Sequence, residues 1–190
     1  GCALLAAHTN ADVVESGPTA DILDRLGVRA GPEHRIPIKP TADDPDRGIG
    51  LVAELPATVT LREFAERVAE ILPATVGGVR VAGDPDQSVR RIAVCSGAGD
   101  SLLGDPMVRG ADVYLTSDLR HHPASEAREQ ALLDGGRPAL VDTAHWASER
   151  LWLEGAAERL RAAHPDLEVR VSDLRTDPFD FRIDQKGAPA

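Results

Sequence analysis

The sequence DVYLTSDLRHHPASEAREQALLDGGRPALVDTAHWASER, residues 112–150, alternates between the patterns of strand and helix. DVYLTSD is an apolar run typical of a buried strand, and PASEAREQALLDGG predicts a helix that ends in glycines. RPALVD predicts a second buried strand, and HWASERLWLEGAAERLRAAH, residues 145–164, predicts a long helix. This alternation begins near residue 90 and is typical of an α/β fold, so we expect mixed sheets with flanking helices.

The first half of the chain contains two further helical patterns. Thr60 followed by Glu63 is a capping-box pattern, and apolar residues then recur at helical spacing from 61 to 72, where Pro73 ends the helix. A shorter helix is predicted at 18–26, ended by Gly27.

Shorter segments predict strands or loops. The run ALLAA, residues 3–7, predicts a buried strand that ends at His8, and LEVRVSD, residues 167–173, predicts a final strand. Residues 28–50 are rich in Pro, Gly and Asp, which favours loops with one or two short edge strands. Further strands are predicted for GIGLVAEL, GGVRVAG and RRIAVCSG, and the tail QKGAPA is expected to be disordered.

Composition limits the class of function. The 190 residues carry a formal net charge of −10 and contain no run of basic residues. This disfavours binding to nucleic acid or to a membrane surface. No apolar run approaches the length of a membrane span, and two cysteines without a C-x-x-C pair fit a reducing cytoplasm. The sequence opens GCALLAAHTN without a methionine, so we expect a processed or truncated chain.

Titratable side chains follow the predicted strands. His8 and Asp12 follow the first strand, Asp118, His121 and His122 follow DVYLTSD, and His145 and Glu149 follow RPALVD. Ligands of α/β folds bind outside the carboxyl ends of strands, so these residues are candidates for lining a cleft. His121 or His122 could act as a general acid or base, or simply form hydrogen bonds within the cleft.

The pair His145 and Glu149 suggests a metal site. The two side chains lie one turn apart on one helical face, where an imidazole and a carboxylate can share one metal ion or two adjacent ions. This N/O donor set suits Zn, Fe or Mn, and Asp12 is the obvious additional anion. The alternative is an ordinary surface His–Glu pair worth about 0.3 kcal/mol.

CSGAGDSL, residues 95–102, admits two interpretations. Its glycines could expose N–H groups to a phosphate, or they could form a tight turn. It lacks the ending of a Walker loop, and its serines are not in a G-x-S-x-G pattern, so a serine hydrolase is rejected.

The ordered set of HTNAD, AVCSGAGDSLL, GADVYLTSDLRHHPASEA, VDTAHWASE and TDPF resembles the NGG-interacting-factor-three-like family over about residues 1–180. Its members are often labelled GTP cyclohydrolase 1 type 2 homologues. The resemblance implies two similar halves around a metal cleft, a toroidal hexamer and two divalent metal ions. It implies Asp12, His145 and Glu149 as metal ligands.

Two departures from the family pattern matter. The family's early His-His ligand pair lies upstream of HTNAD and is absent here, while His121 and His122 occupy the equivalent place in the second half. Ser117 stands where the family often has glycine, so the turn there is expected to differ. We therefore expect this chain to bind metal weakly or incompletely and its full-length parent to bind two ions.

The resemblance also suggests a division of the chain. Residues 1–55 are expected to be a remnant of an incomplete first half, 56–180 the second half, and 181–190 a flexible tail. The expected function is that of a metal-dependent hydrolase-like protein, in which a metal pair activates water against a nucleotide or another small molecule. The alternative is a non-catalytic ring scaffold or regulatory protein in which the metals are structural.

Overall fold

The computed structural model describes residues 1–184 and contains one six-stranded mixed sheet flanked by helices. The strands are β1 (Arg35–Pro40), β2 (Gly48–Thr60), β3 (Arg80–Ala82), β4 (Ser88–Ala98), β5 (Val113–Ser117) and β6 (Ala139–Thr143). The helices are α1 (Thr9–Asp12), α2 (Pro18–Arg25), α3 (Leu61–Ile71), α4 (Pro106–Arg109), α5 (His121–Leu133), α6 (His145–Arg150) and α7 (Trp152–Ala163), with a 3-10 turn at Asp100–Leu102. The prediction of mixed α/β architecture is confirmed.

The centre of the sheet is parallel and its margins are antiparallel. The strand order is β1-β2-β4-β5-β6-β3, in which β4, β5 and β6 run parallel to one another. β5 and β6 are buried along their whole length, as strands covered on both faces must be. Since β4, β5 and β6 are parallel, their carboxyl-terminal ends lie side by side, and the polar segments that follow them are brought together there.

Each face of the sheet buries its own apolar cluster. Along β4, Val94 belongs to the cluster under α2, α3 and α6, and its neighbour Cys95 belongs to the cluster on the opposite face with α4. This alternation follows from the two-residue period of a strand. Phe64 and Val68 of α3 are fully buried in the first cluster, so the helix predicted at 61–72 packs by its apolar stripe.

Two predicted strands are wrong. Residues 1–7 have no regular structure, with Leu4 98% and Leu5 91% exposed, and residues 167–173 also form no strand. A strand needs a partner for its backbone N–H and C=O groups, and β1 and β3 at the two edges of the sheet pair with neither segment. His8 therefore precedes α1 directly instead of following a strand.

The long helix predicted at 145–164 is divided into two. α6 ends at Arg150 and α7 begins at Trp152, with Leu151 between them keeping helical dihedral angles. The edge strand expected within residues 28–50 is β1. Gly48–Thr60 forms one continuous strand, and the suggested division at 55/56 lies within it and stays a prediction.

No helix within residues 1–184 combines the length and the apolar character that crossing a membrane requires. The tail residues 185–190, expected to be disordered, lie outside the described residues.

Candidate functional site

A cavity of about 910 Å³ opens where β5 and β6 end. Five of the residues singled out in the sequence line it, namely His8, Asp12, Asp118, His145 and Glu149. His121 and His122 lie in the exposed first turn of α5, with ring centroids 5.3 Å apart, and are not among the residues that line this cavity.

His145 is held between two carboxylates. It is the first residue of α6, its Nδ1 lies 2.7 Å from Asp118 Oδ2, and its Nε2 lies 3.0 Å from Glu149 Oε1. The hydrogen bond to Glu149 is the largest cause that raises the pKa of His145 to about 9, with Asp118 adding to it against partial burial. The imidazole is therefore protonated on both nitrogens and positively charged at neutral pH, unless a cation bound at Nε2 displaces the proton there.

Asp118 reaches His145 from a left-handed turn. Its φ is +57°, which makes it the only residue other than glycine with positive φ in the described part of the chain. Aspartate tolerates this region better than most side chains because it is short and polar. Ser117 itself is the buried last residue of β5, and the positive φ falls on Asp118, so the expected difference from the family's turn stays a prediction.

Buried hydroxyl groups connect α6 to three strand ends. Ser148 Oγ accepts the Gly97 N–H at 2.9 Å and donates to the His145 carbonyl at 2.8 Å. Ser117 Oγ lies 3.3 Å from Ser148 Oγ and 3.2 Å from Thr143 Oγ1. These contacts fix the start of α6 against the ends of β4, β5 and β6. Ser148 could not be singled out from the sequence. Its only sequence signal is a hydroxyl residue one turn after the start of a helix, which is a very common pattern.

The glycines of CSGAGDSL serve close packing. Gly97 has φ +67°, and a Cβ there would lie 2.6 Å from Glu149 Oε1 and 3.0 Å from His145 Nε2. A Cβ at Gly99 would lie 2.2 Å from Thr116 Oγ1. Because the Gly97 N–H is already bonded to Ser148, the geometry favours the tight-turn interpretation over the phosphate cradle.

Asp12 shares the cavity with the His145–Glu149 pair. Burial, and then the negative charge of Glu149, raise the pKa of Asp12, while the nearby His8 and His145 lower it. Within residues 1–184, however, no group of three or more His, Cys, Asp or Glu side chains is arranged to hold a metal ion. His145 and Glu149 converge, and Asp12 lies in the same cavity without joining them in such a group.

Comparison with known proteins supplies the family. A family model described as Duf34/NIF3 (NGG1p interacting factor 3) matches residues 1–178. A Streptomyces coelicolor protein named GTP cyclohydrolase 1 type 2 homolog is 47% identical over 190 residues, covering 95% of this chain and 62% of that protein. A Clostridium perfringens protein of the same name is 31% identical over 179 residues, covering 94% of this chain and 64% of that protein. The chain thus spans less than two thirds of the length of these relatives.

Solved structures share the fold. The crystal structure of a Bacillus cereus protein related to NIF3 matches with a TM-score of 0.76 at 20% identity, covering 93% of this chain and 72% of that chain. The crystal structure of the Staphylococcus aureus protein SA1388 matches with a TM-score of 0.75 at 23% identity, covering 94% of this chain and 69% of that chain. Together with the family match over residues 1–178, these likenesses confirm the resemblance drawn from the sequence: the chain belongs to the Duf34/NIF3 (NGG1p interacting factor 3) family.

Proposed function

We propose that this chain binds a divalent metal ion through His145 and Glu149, with Asp12 as a third donor, as part of a metal-dependent hydrolase-like protein. The observation that carries the proposal is the convergence of Nε2 and Oε1 at 3.0 Å. Asp118 supports it from the other side of the ring, because a carboxylate on Nδ1 fixes the orientation of an imidazole that binds metal through Nε2.

The donor set indicates both the type of metal and the strength of binding. One imidazole and two carboxylates suit Zn, Fe or Mn. Since Asp12 is not assembled with the pair, we expect one weakly held ion. A centre of two ions needs donors beyond these three, and we propose that the longer relatives carry them in the part of their length that this chain does not span.

The chemistry proposed for the cavity is hydrolysis. A bound divalent ion lowers the pKa of a coordinated water and polarises a substrate oxygen. Asp118 would orient His145, and Trp146 lines the same cavity and would contact the substrate. The relatives' name, GTP cyclohydrolase 1 type 2 homolog, supports a nucleotide as the first substrate to test.

Metal binding is tested by titrating the metal-free chain with Zn²⁺ or Mn²⁺ and by metal analysis after dialysis. We expect weak binding of one ion, lost in His145→Ala and strongly weakened in Glu149→Gln. The matched control is His34→Ala. His34 Nε2 lies 3.4 Å from Glu33 Oε1 at the surface, and neither residue lines the cavity. Two tightly held ions per chain would contradict the incomplete site, and identical binding by wild type and His145→Ala would contradict the site altogether.

Catalysis is tested separately, on a panel of nucleotides and phosphoesters with metal present. Turnover that His145→Ala abolishes while the assembly stays intact supports the hydrolase. If the wild type shows no turnover and His145→Ala loses both thermal stability and assembly, the result supports a structural metal in a non-catalytic protein.

A further inference from the structure

Asp142 is a buried carboxylate that connects two strand ends. It lies on β6, three residues before His145, and is 7% exposed. Its Oδ1 accepts the backbone N–H of Leu119 at 3.1 Å, and its Oδ2 accepts from the Arg80 guanidinium. A buried carboxylate is costly unless its oxygens are bonded in this way.

The bond to Leu119 acts on the left-handed turn after β5. Leu119 directly follows Asp118, so the acceptor at Asp142 fixes the peptide group between them. This peptide closes the turn in which Asp118 has φ +57°. From that turn the Asp118 carboxylate lies 2.7 Å from His145 Nδ1. The contacts therefore run from Asp142 through the 118–119 peptide to Asp118 and then to the imidazole.

We propose that Asp142 is a positioning residue for His145. By holding the 118–119 peptide, it places Asp118 to accept the Nδ1–H, which leaves Nε2 facing Glu149 and the cavity. The inference rests on the proposed function only in treating Nε2 as a metal donor. The orientation of the ring is a property of the metal-free chain.

The other contact of Asp142 allows the two roles to be separated. Arg80 joins β3 to Asp142 through a side chain that is 70% exposed, and this ion pair does not involve the 118–119 peptide. If Asp142 served only to attach β3, then Arg80→Gln would reproduce the effects of Asp142→Ala. If it positions Asp118, Arg80→Gln leaves His145 unchanged.

The experiment compares the wild type with Asp142→Ala, Asp142→Asn and Arg80→Gln. The first readout is the imidazole Nδ1–H resonance of His145 in the metal-free chain labelled with ¹⁵N-histidine, because a short hydrogen bond to a carboxylate shifts this proton far downfield. The resonance is assigned by its loss in Asp118→Ala. The second readout is Co²⁺ affinity, which falls about 10- to 100-fold when an orienting partner of a metal-binding histidine is removed.

We expect Asp142→Ala to lose the downfield resonance and to bind Co²⁺ about 10- to 100-fold more weakly than the wild type. Asp142→Asn should rescue both, since its amide oxygen can still accept the Leu119 N–H, and Arg80→Gln should match the wild type. An Asp142→Ala chain that folds and keeps both resonance and affinity overturns the proposal. If it does not fold, hydrogen exchange of the Leu119 amide in the wild type decides, because rapid exchange there is incompatible with a fixed peptide.

Failure of the proposed function gives a different pattern. If the wild type binds no Co²⁺ but the resonance still depends on Asp142 and not on Arg80, the positioning role stands and the metal proposal is rejected. If the wild type binds Co²⁺ through His145 and the resonance is indifferent to Asp142, the metal proposal stands and the positioning role is rejected.

Discussion

Gly97 shows how one residue without a side chain makes the site possible. The end of β4 passes so close to α6 that any Cβ at position 97 would meet the two atoms that face each other across the candidate metal site, Glu149 Oε1 and His145 Nε2. The backbone there is also left-handed, with φ +67°, a conformation that costs other residues about 1–2 kcal/mol. Space and conformation both require glycine.

We therefore predict that Gly97→Ala lowers the free energy of unfolding by at least about 1–2 kcal/mol from the backbone conformation alone. It should also weaken metal binding, because the methyl group displaces the Glu149 carboxylate. Urea denaturation and metal titration measure the two effects. Gly104→Ala is the matched control, since nothing lies within 4 Å of its added Cβ. Equal stability and affinity in both variants would show that the loop moves aside without cost.

At the scale of elements, the capping box at the start of α3 makes a local prediction. Thr60 Oγ1 accepts the Glu63 N–H at 3.2 Å, and the Glu63 carboxylate accepts the Thr60 N–H at 2.8 Å. Thr60→Ala should destabilise the chain by about 1 kcal/mol in thermal or urea unfolding, and Thr60→Ser, which keeps the hydroxyl, should restore most of it. A loss of equal size in both variants would assign the effect to the methyl group instead.

The same cap has a pH dependence. The backbone N–H of Thr60 is the largest cause that lowers the pKa of Glu63 below its ordinary value of 4.5. Its stabilisation is therefore present above about pH 4.5 and is lost as the pH falls through the folded-state pKa. The difference in unfolding free energy between wild type and Glu63→Ala should shrink as the pH falls, and a difference that does not change with pH would contradict this role of the carboxylate.

These elements also show which features sequence reasoning can reach. The helix at 61–71 is determined by residues close together in the sequence, namely Thr60, Glu63 and the apolar stripe. Its ends can therefore be predicted almost to the residue. The runs at 3–7 and 167–173 have the composition of strands, but a strand exists only where a distant segment pairs with it, and the local pattern carries no information about that.

The contacts of the candidate site also fall into two groups, those set by local spacing in the sequence and those set by the assembled sheet. The proximity of His145 and Glu149 follows from helical spacing, and the alternation of strands and helices indicates that the segments after β5 and β6 meet. The contact of Asp118 with His145 depends instead on a left-handed turn, and that of Asp142 with Leu119 on the register between β5 and β6. Register is a property of the assembled sheet, so neither contact could be read from the sequence.

At the scale of the whole molecule, the described chain exposes large apolar residues at several places, and one of them is the segment after α7. Phe179, Phe181 and Ile183 alternate along the segment after α7, and each is mostly exposed. Large apolar side chains grouped on a surface favour association, while the net charge of −10 opposes it at low salt. A self-assembling chain, as the resemblance suggests, would cover this surface.

We accordingly predict that the chain forms an oligomer in size-exclusion chromatography with light scattering, hexameric if the expected assembly applies, and that added salt strengthens it. Phe181→Ser combined with Ile183→Ser should shift the chain toward the monomer, because both side chains lose the apolar area that association would bury. Leu132→Ser with Leu133→Ser is the matched control, since these two are also exposed but lie on α5. A monomeric wild type at high salt, or an equal shift in both double variants, would argue against this segment as the surface of assembly.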